Sequence, residues 1–204
     1  MKATRERLVK AARAVFGEKG YRDTRITDIA ERAGVAIGSF YNHFGSKDEI
    51  LHAALADLVD EMYDSVAAQV PHEFGPFAQL LDSNRRYLAA YEANAPLLAV
   101  LEEAVVRNAE LRAMRVKIRE VSVQRIARNI ARMQRGGQCD PGLDPHATAR
   151  VLGSMVERSA YMAYVLGESQ HGVDLALLVS QLWANAIRLR WPVEPADAAS
   201  ASDA

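Results

Sequence analysis

The segment GSFYNHFGSKDEI, residues 38–50, combines aromatic side chains with an amide and a lysine in a pattern that could do chemistry at a surface. Phe40 and Phe44 are four residues apart, so they share one face of a helix and can pack inward. Asn42 then carries an amide that can donate and accept hydrogen bonds. Lys47 falls in the first turn of a following helix, where its charge and the helix N-terminus both favour phosphate. The segment is therefore predicted to be held from behind and to contact a partner in front.

The elements that must position these side chains are two short helices and the turn AGVAIG between them. Ile26, Ile29 and Ala33 predict the first helix, Gly34 is a natural residue to end it, and a second is predicted over about Ile37 to Phe44. Such a pair is a helix-turn-helix, whose second helix enters the DNA major groove. The alternative is an ordinary helical hairpin with core aromatics. The residues that can face a groove are Ile37, Gly38, Ser39 and Asn42. Those that can reach flanking phosphates are Tyr41, His43 and Lys47.

The remainder of the chain is also predicted to be helical. A capping box, Ser46 with Glu49 three residues later, begins a fourth helix that reaches about Gln69. Asp144 and Pro145 are typical of a helix N-cap and first position. The predicted fold class is all-α with about nine helices, since the sequence has no strand-like alternation and no repeat. The later helices are predicted over about 74–93, 96–108, 110–135, 145–167 and 174–191.

The composition excludes several classes of protein. The 204 residues include a single cysteine, Cys139, which excludes an internal disulfide and fits a reducing cytoplasm, and whose redox role stays open. The first residues are not a signal peptide, and no apolar run approaches the roughly 18 residues of a membrane span. The five histidines have no metal-ligand spacing, and no nucleophile elbow, phosphate loop or zinc motif is present. We therefore expect a cytoplasmic protein without membrane segment, metal, cofactor or enzymatic activity.

The stretch ITDIAERAGVAIGSFYNHFGSKDEIL, residues 26–51, resembles the DNA-binding signature of the TetR family of one-component regulators, and the likeness extends back through VFGEKGYRDT. By this resemblance the groove and phosphate residues given above contact DNA, and Thr27 joins them. Two positions depart from the family pattern. Ala36 stands where the family has a serine that caps the recognition helix, and Arg25 stands where it has serine or threonine.

The resemblance also implies the organisation of the whole chain. It implies a DNA-binding head over residues 1–46 and an effector-binding and dimerisation body over 47–192; the small polar tail 193–204 is predicted to be disordered. A homodimeric repressor released from a near-palindromic operator by a small apolar effector is the expected function. The alternatives are a small all-α enzyme, a helical adaptor that has lost DNA binding, and a monomeric core. The predicted dimer residues are Leu175, Leu178, Val179, Leu182 and Trp183.

The charge of the chain alternates along its length. The net charge is +3 for residues 1–50, −7 for 51–106, +7 for 107–135 and −4 for 136–204. Helical spacing places the arginines of the third segment on one face. One interpretation is a solvated or salt-bridged face matched to the acidic segment. The other is that Arg115 or Arg119 turns into the body and pairs with an acidic effector. Met155 and Tyr161 are further candidate effector contacts.

Overall fold

The structure is a computed structural model that describes residues 2–67, 75–168 and 172–190, without the side chains of 59–61, 63–67 and 107. The described residues form nine helices and no strand, so the all-α prediction is confirmed. No helix among them is long and apolar enough to cross a lipid bilayer. The helices are α1 (Lys2–Asp23), α2 (Ile26–Arg32), α3 (Ile37–Tyr41), α4 (Lys47–Ala67), α5 (Gly75–Ala93), α6 (Ala95–Arg107), α7 (Ala109–Arg135), α8 (Pro145–Tyr164) and α9 (Leu175–Ala186).

Three predicted helix ends are wrong. The third helix ends at Tyr41 because the backbone N–H groups of His43 and Phe44 both bond to the carbonyl of Phe40, which winds the chain into a tight turn. The eighth helix ends at Tyr164 and the ninth at Ala186, several residues before their predicted ends. The predicted end of the fourth helix near Gln69 and the tail 193–204 lie outside the described residues.

The hydrophobic core is one continuous cluster that joins the first three helices to the rest of the chain. Helix α1 packs against α2, α4 and α6, and its side chains Leu8, Ala12 and Phe16 are fully buried. A Cβ atom at Gly17 would lie 3.4 Å from the Cβ of Pro96, so α1 and α6 come into close contact there. The division into domains at residues 46 and 47 stays a prediction.

Local sequence signals set several helix ends as predicted. The backbone N–H of Glu49 donates to Ser46 Oγ at 3.1 Å, and the Glu49 carboxylate accepts from the N–H of Gly45 at 2.6 Å. The Asp144 carboxylate accepts from the N–H of Ala147 at 2.6 Å, as an N-cap should. Gly34 follows α2 with φ +64°, a conformation that favours glycine.

Candidate nucleic-acid interface

Helix α3 is held from behind by its two phenylalanines. Phe40 is fully buried and Phe44 is buried, and their ring centroids lie 5.9 Å apart. The guanidinium of Arg5 on α1 lies 5.3 Å from the centroid of the Phe44 ring, which adds a cation–π contact from the outer side. This packing fixes a five-residue helix that is too short to be stable alone.

The residues predicted to contact DNA lie in front of this packing. On α3, Ile37 is 46% exposed and Tyr41 is 55% exposed, although both are large and apolar or aromatic. Such side chains on a short, otherwise well-packed helix are typical of a contact surface. Their assignment to bases or to phosphates stays a prediction. The remaining candidates are exposed at Thr27, Gly38 and Asn42 and half-buried at Ser39, His43 and Lys47.

The starts of α2 and α3 lack the side-chain caps that the family pattern supplies. Ala36 precedes α3 in an extended conformation and provides no cap. Arg25 provides none for α2, where the Asp28 carboxylate instead accepts from the backbone N–H of Arg25 at 2.9 Å. That hydrogen bond, with the ion pair to Lys19 at 3.1 Å, lowers the pKa of Asp28. A cleft of about 320 Å³ is lined here by Lys19, Arg22, Asp23, Arg25 and Asp28.

The Lys47 ammonium lies against the C-terminal end of α1. Its ammonium donates to the carbonyls of Tyr21 at 2.8 Å and of Thr24 at 2.9 Å. It also lies 4.4 Å from the centroid of the Tyr21 ring. Gly20 interrupts α1 with φ +73° and ψ 176°, so these carbonyls belong to the turn after the break, and the Lys47 ammonium fixes that turn. Sequence reasoning missed this structural role, and the phosphate contact of Lys47 stays a prediction.

Arg7 has a similar role at the end of α2 and was also missed. Its Nη2 donates to the carbonyls of Ala33 at 2.5 Å and Gly34 at 3.1 Å, which lie in the turn that leads to α3. The partner carbonyls are 26 and 27 residues away in the sequence, so helical spacing could not have revealed the contact. Arg7 therefore fixes the turn of the helix-turn-helix.

Arg115 has features of both sequence interpretations, because its side chain turns into the body and also pairs with a carboxylate of the acidic segment 51–106. Its side chain is only 20% exposed and bonds to carboxylates of the protein itself, Glu102 at 2.5 Å and Glu157. Arg119 bonds to the second oxygen of Glu157 at 2.9 Å. Burial and the neighbouring Glu157 raise the pKa of Tyr91, which marks the same place as a polar cluster inside the body.

The other candidate residues of the body are Met155, Tyr161 and Cys139. Met155 and Tyr161 are half-buried, and the Arg158 guanidinium lies 4.6 Å from the centroid of the Tyr161 ring. Effector binding by these two residues, Arg115 and Arg119 stays a prediction. Cys139 is buried, and burial raises the pKa of its thiol.

The predicted dimer residues divide into two groups. Val179 and Trp183 are buried inside the subunit, where α9 packs chiefly against α5. Leu175 and Leu178 are half-buried, and Leu182 is 48% exposed. An exposed leucine on a helix whose other side is buried is the part of this set that a second subunit could still cover.

The all-helical fold and the helix-turn-helix with its exposed second helix define a helix-turn-helix DNA-binding protein. Residues 8–54 match the family model of bacterial regulatory proteins, tetR family, so the likeness to this family covers α1 to α3 and the start of α4.

Similar proteins include one relative by sequence and two solved structures that share the fold. The HTH-type transcriptional repressor KstR2 of Mycobacterium tuberculosis is 34% identical over 89 residues, which are 44% of this chain and 43% of that protein. The chain thus matches less than half the length of this curated relative. A tetR-family transcriptional regulator from Streptomyces coelicolor has a TM-score of 0.71 with 21% identity over 91% of this chain and 79% of its own. The fatty acid degradation regulator FadR from Bacillus halodurans has a TM-score of 0.69 with 20% identity over 92% and 97%.

Proposed function

We propose that this chain is a homodimeric transcriptional repressor that binds a near-palindromic operator and leaves it when a small apolar effector binds the body. The observation that carries the proposal is the exposed face of α3, where Ile37 and Tyr41 stand outside while Phe40 and Phe44 fix the helix from inside. About half of each of these two side chains is open to solvent. A major groove would cover them.

Repression is supported by a relative. KstR2 of Mycobacterium tuberculosis, which is 34% identical over 89 residues, is named a repressor. Recognition of a palindromic site needs two heads related by two-fold symmetry, with their helices about one DNA turn apart, roughly 34–36 Å. The exposed Leu182 on α9 and Val151 on α8 are candidates for the surface between the subunits.

A structural neighbour and the interior of the body support the proposed response to an effector. A structural neighbour is named a fatty acid degradation regulator, and an apolar effector suits a helical body with a largely apolar interior. The cluster of Arg115 with Glu102 and Glu157 is a polar site at which such a molecule could replace one of the two carboxylates as the partner of Arg115. Any effector lowers operator affinity only by binding the non-operator conformation more tightly.

The test is selection of duplexes from a random pool by the full-length protein, followed by gel shifts. We expect enrichment of an inverted repeat and retention of binding at physiological salt. Ile37→Asp places a carboxylate on the proposed groove face and should abolish the shift. Val173→Asp is the matched control, because Val173 is 49% exposed and Ile37 is 46% exposed. A pool without any enriched motif would contradict the proposal.

A further inference from the structure

Four residues from three regions of the chain form a continuous polar junction between the head and the body. Tyr21 lies near the end of α1, Lys47 and Asp48 begin α4, and Asn108 lies between α6 and α7. We call these four residues the polar junction.

The Asn108 side chain makes hydrogen bonds to two different helices. Its Oδ1 accepts from the backbone N–H groups of Glu110 at 2.9 Å and Leu111 at 3.1 Å, so it is the N-cap of the 27-residue helix α7. Its Nδ2 donates to Asp48 Oδ2 at 3.2 Å. One side chain therefore connects the start of the longest helix of the body to the first turn of α4.

Asp48 in turn connects α4 to α1 through Tyr21. Its other oxygen accepts from the hydroxyl of Tyr21, and the Tyr21 ring and carbonyl both contact the ammonium of Lys47. Burial, and then the bond to Asp48, raise the pKa of Tyr21 to about 12. The phenol therefore stays protonated and keeps donating at any pH at which DNA binding is measured.

Other contacts at this place are weaker. A cavity of about 200 Å³ lies beside the junction, so apolar packing is incomplete at this end of the contact, whereas α1 packs directly on α6 farther along, at Gly17 and Pro96. The ion pair of Arg22 with Glu103 crosses the same gap at 3.3 Å, but its side chains are 60% and 45% exposed, and such pairs contribute little. The cavity is lined by Tyr21, Arg22, Asp48, Glu103, Ala104, Asn108 and Leu111.

We propose that Asn108 is a positioning residue: through Asp48 and Tyr21 it fixes the orientation of the head on the body and so the separation of the two recognition helices. Helix α3 ends six residues before Lys47 and lies in the chain between α1 and α4, which the junction connects. A fixed start of α4 therefore fixes α3 relative to α7. The inference rests on the proposed function, because separation has meaning only for a dimer on a two-part operator.

The experiment measures affinity against operator spacing. The probes are inverted repeats of the half-site selected by the wild-type protein, with spacers one or two base pairs longer or shorter, and a duplex with a single half-site. A rigid head should make the wild type lose about tenfold or more in affinity on the wrong spacers, a typical size for coupling between sites.

The variants separate the junction from the helix cap. Asn108→Asp keeps an N-cap for α7 but sets a carboxylate against Asp48, and it should flatten the spacing profile to within about threefold while single half-site affinity is unchanged. Combining Asn108→Asp with Asp48→Asn restores the bond with donor and acceptor exchanged, and it should restore the profile. Tyr21→Phe is a milder variant that keeps the ring under Lys47.

Two results would overturn the inference and leave the proposed function standing. In one, Asn108→Asp and Tyr21→Phe keep the wild-type spacing profile. In the other, half-site affinity falls as much as operator affinity, which would make the junction a general support of the head. A wild type that binds every spacing equally well would count against both the junction and the dimeric operator.

Discussion

At the scale of single residues, Asn42 is predicted to read a base. It is exposed and follows the last residue of α3. An asparagine in the groove can bond N6 and N7 of adenine together, a contact worth roughly 1–3 kcal/mol of discrimination. We expect Asn42→Ala to change the motif selected from a random pool at one position in each half-site.

The control for this experiment is Glu31→Ala, an exposed polar residue on α2 outside the predicted contact set. It should select the wild-type motif. If Asn42→Ala does so as well, Asn42 does not read a base and is a phosphate or surface residue.

Replacing Lys47 is expected to have two effects, one on stability and one on the salt dependence of DNA binding. Lys47→Ala removes the ammonium from the carbonyls of Tyr21 and Thr24, and hydrogen bonds to charged groups contribute about 1.5–3 kcal/mol, so the free energy of unfolding should fall by a value in that range. If Lys47 also contacts a phosphate, the slope of log affinity against log salt should fall by about one.

Urea denaturation and a salt series of gel shifts measure the two effects. Lys10→Ala, an exposed lysine on α1, is the control for loss of a positive charge. An unchanged salt slope with lowered stability would make Lys47 purely structural. If Lys47→Ala is as stable as the wild type, Lys47 does not stabilise the turn at the end of α1.

The exposed residues of α3 could be predicted from sequence because they depend on spacing within one helix. The partners of Lys47, Arg7 and Asn108 could not. These contacts join residues 23 to 60 positions apart, so they depend on how whole helices pack. Arg115 is an intermediate case: its inward turn was one of two predicted interpretations, but its carboxylate partners Glu102 and Glu157 were not named.

At the scale of helices, the turn after α2 has a backbone conformation that favours glycine at residue 34. Gly34 has φ +64°, and a Cβ there would lie 3.0 Å from Arg7 Nη2. A left-handed conformation costs other residues roughly 1–2 kcal/mol. We expect Gly34→Ala to lower the free energy of unfolding by about that amount or more in urea denaturation.

Gly38→Ala is the matched control, since a Cβ there would meet nothing within 4 Å and its φ is not positive. It should leave stability unchanged or raised by up to about 1 kcal/mol, because alanine favours helix over glycine. Equal losses in the two variants would show that the conformation of Gly34 is not the cause.

The N-cap of α9 gives a pH dependence. The Asp174 carboxylate accepts from the N–H of Leu177 at 3.0 Å, and this bond, then the contact with Arg85, lowers the pKa of Asp174. A lowered pKa in the folded state means that the carboxylate stabilises the fold above its unfolded value of 3.8 and that this contribution is lost as the pH falls through the folded value.

We therefore expect Asp174→Ala to be less stable than the wild type at neutral pH, and this difference should shrink as the pH falls below 3.8, by urea denaturation at each pH. Asp57→Ala, an exposed aspartate inside α4, should show no such pH dependence. A difference that persists unchanged in acid would indicate that the carboxylate charge is not responsible.

The existence of the helices was predictable, while several of their ends were not. Apolar periodicity continues past Ala186, which is why α9 was expected to be longer. In the structure Arg188 has φ +49°, and the N–H of Arg190 bonds to the carbonyl of Gln138 at 2.8 Å. The end of α9 is thus set by the loop after α7, about fifty residues earlier in the chain.

At the scale of the whole molecule, the exposed apolar surface of α9 predicts a dimer. Leu182→Glu, alone or with Leu178→Glu, should give a monomer that no longer binds the operator, because Leu182 is 48% exposed and not needed inside the subunit. Light scattering at micromolar concentration and gel shifts measure the two outcomes.

Val173→Glu is the control, since Val173 is 49% exposed and precedes α9. It should remain dimeric. Trp183 is unsuitable for this test, because it is buried in the subunit and its loss would unfold the chain. A wild-type protein that is already monomeric at this concentration would contradict the prediction.

The close contact of Gly17 with Pro96 limits how this protein can be recombined with its relatives. Heads of TetR-family proteins are attractive modules for building sensors, and a natural cut would fall after residue 46. Here such a graft would bring a foreign α1 against the start of α6, where a Cβ at position 17 would lie 3.4 Å from Pro96, so alanine can fit but a longer side chain must displace Pro96. Chimeras should therefore respond to their new operator only when the donor carries a small residue at position 17 and the start of α4 is transplanted with it.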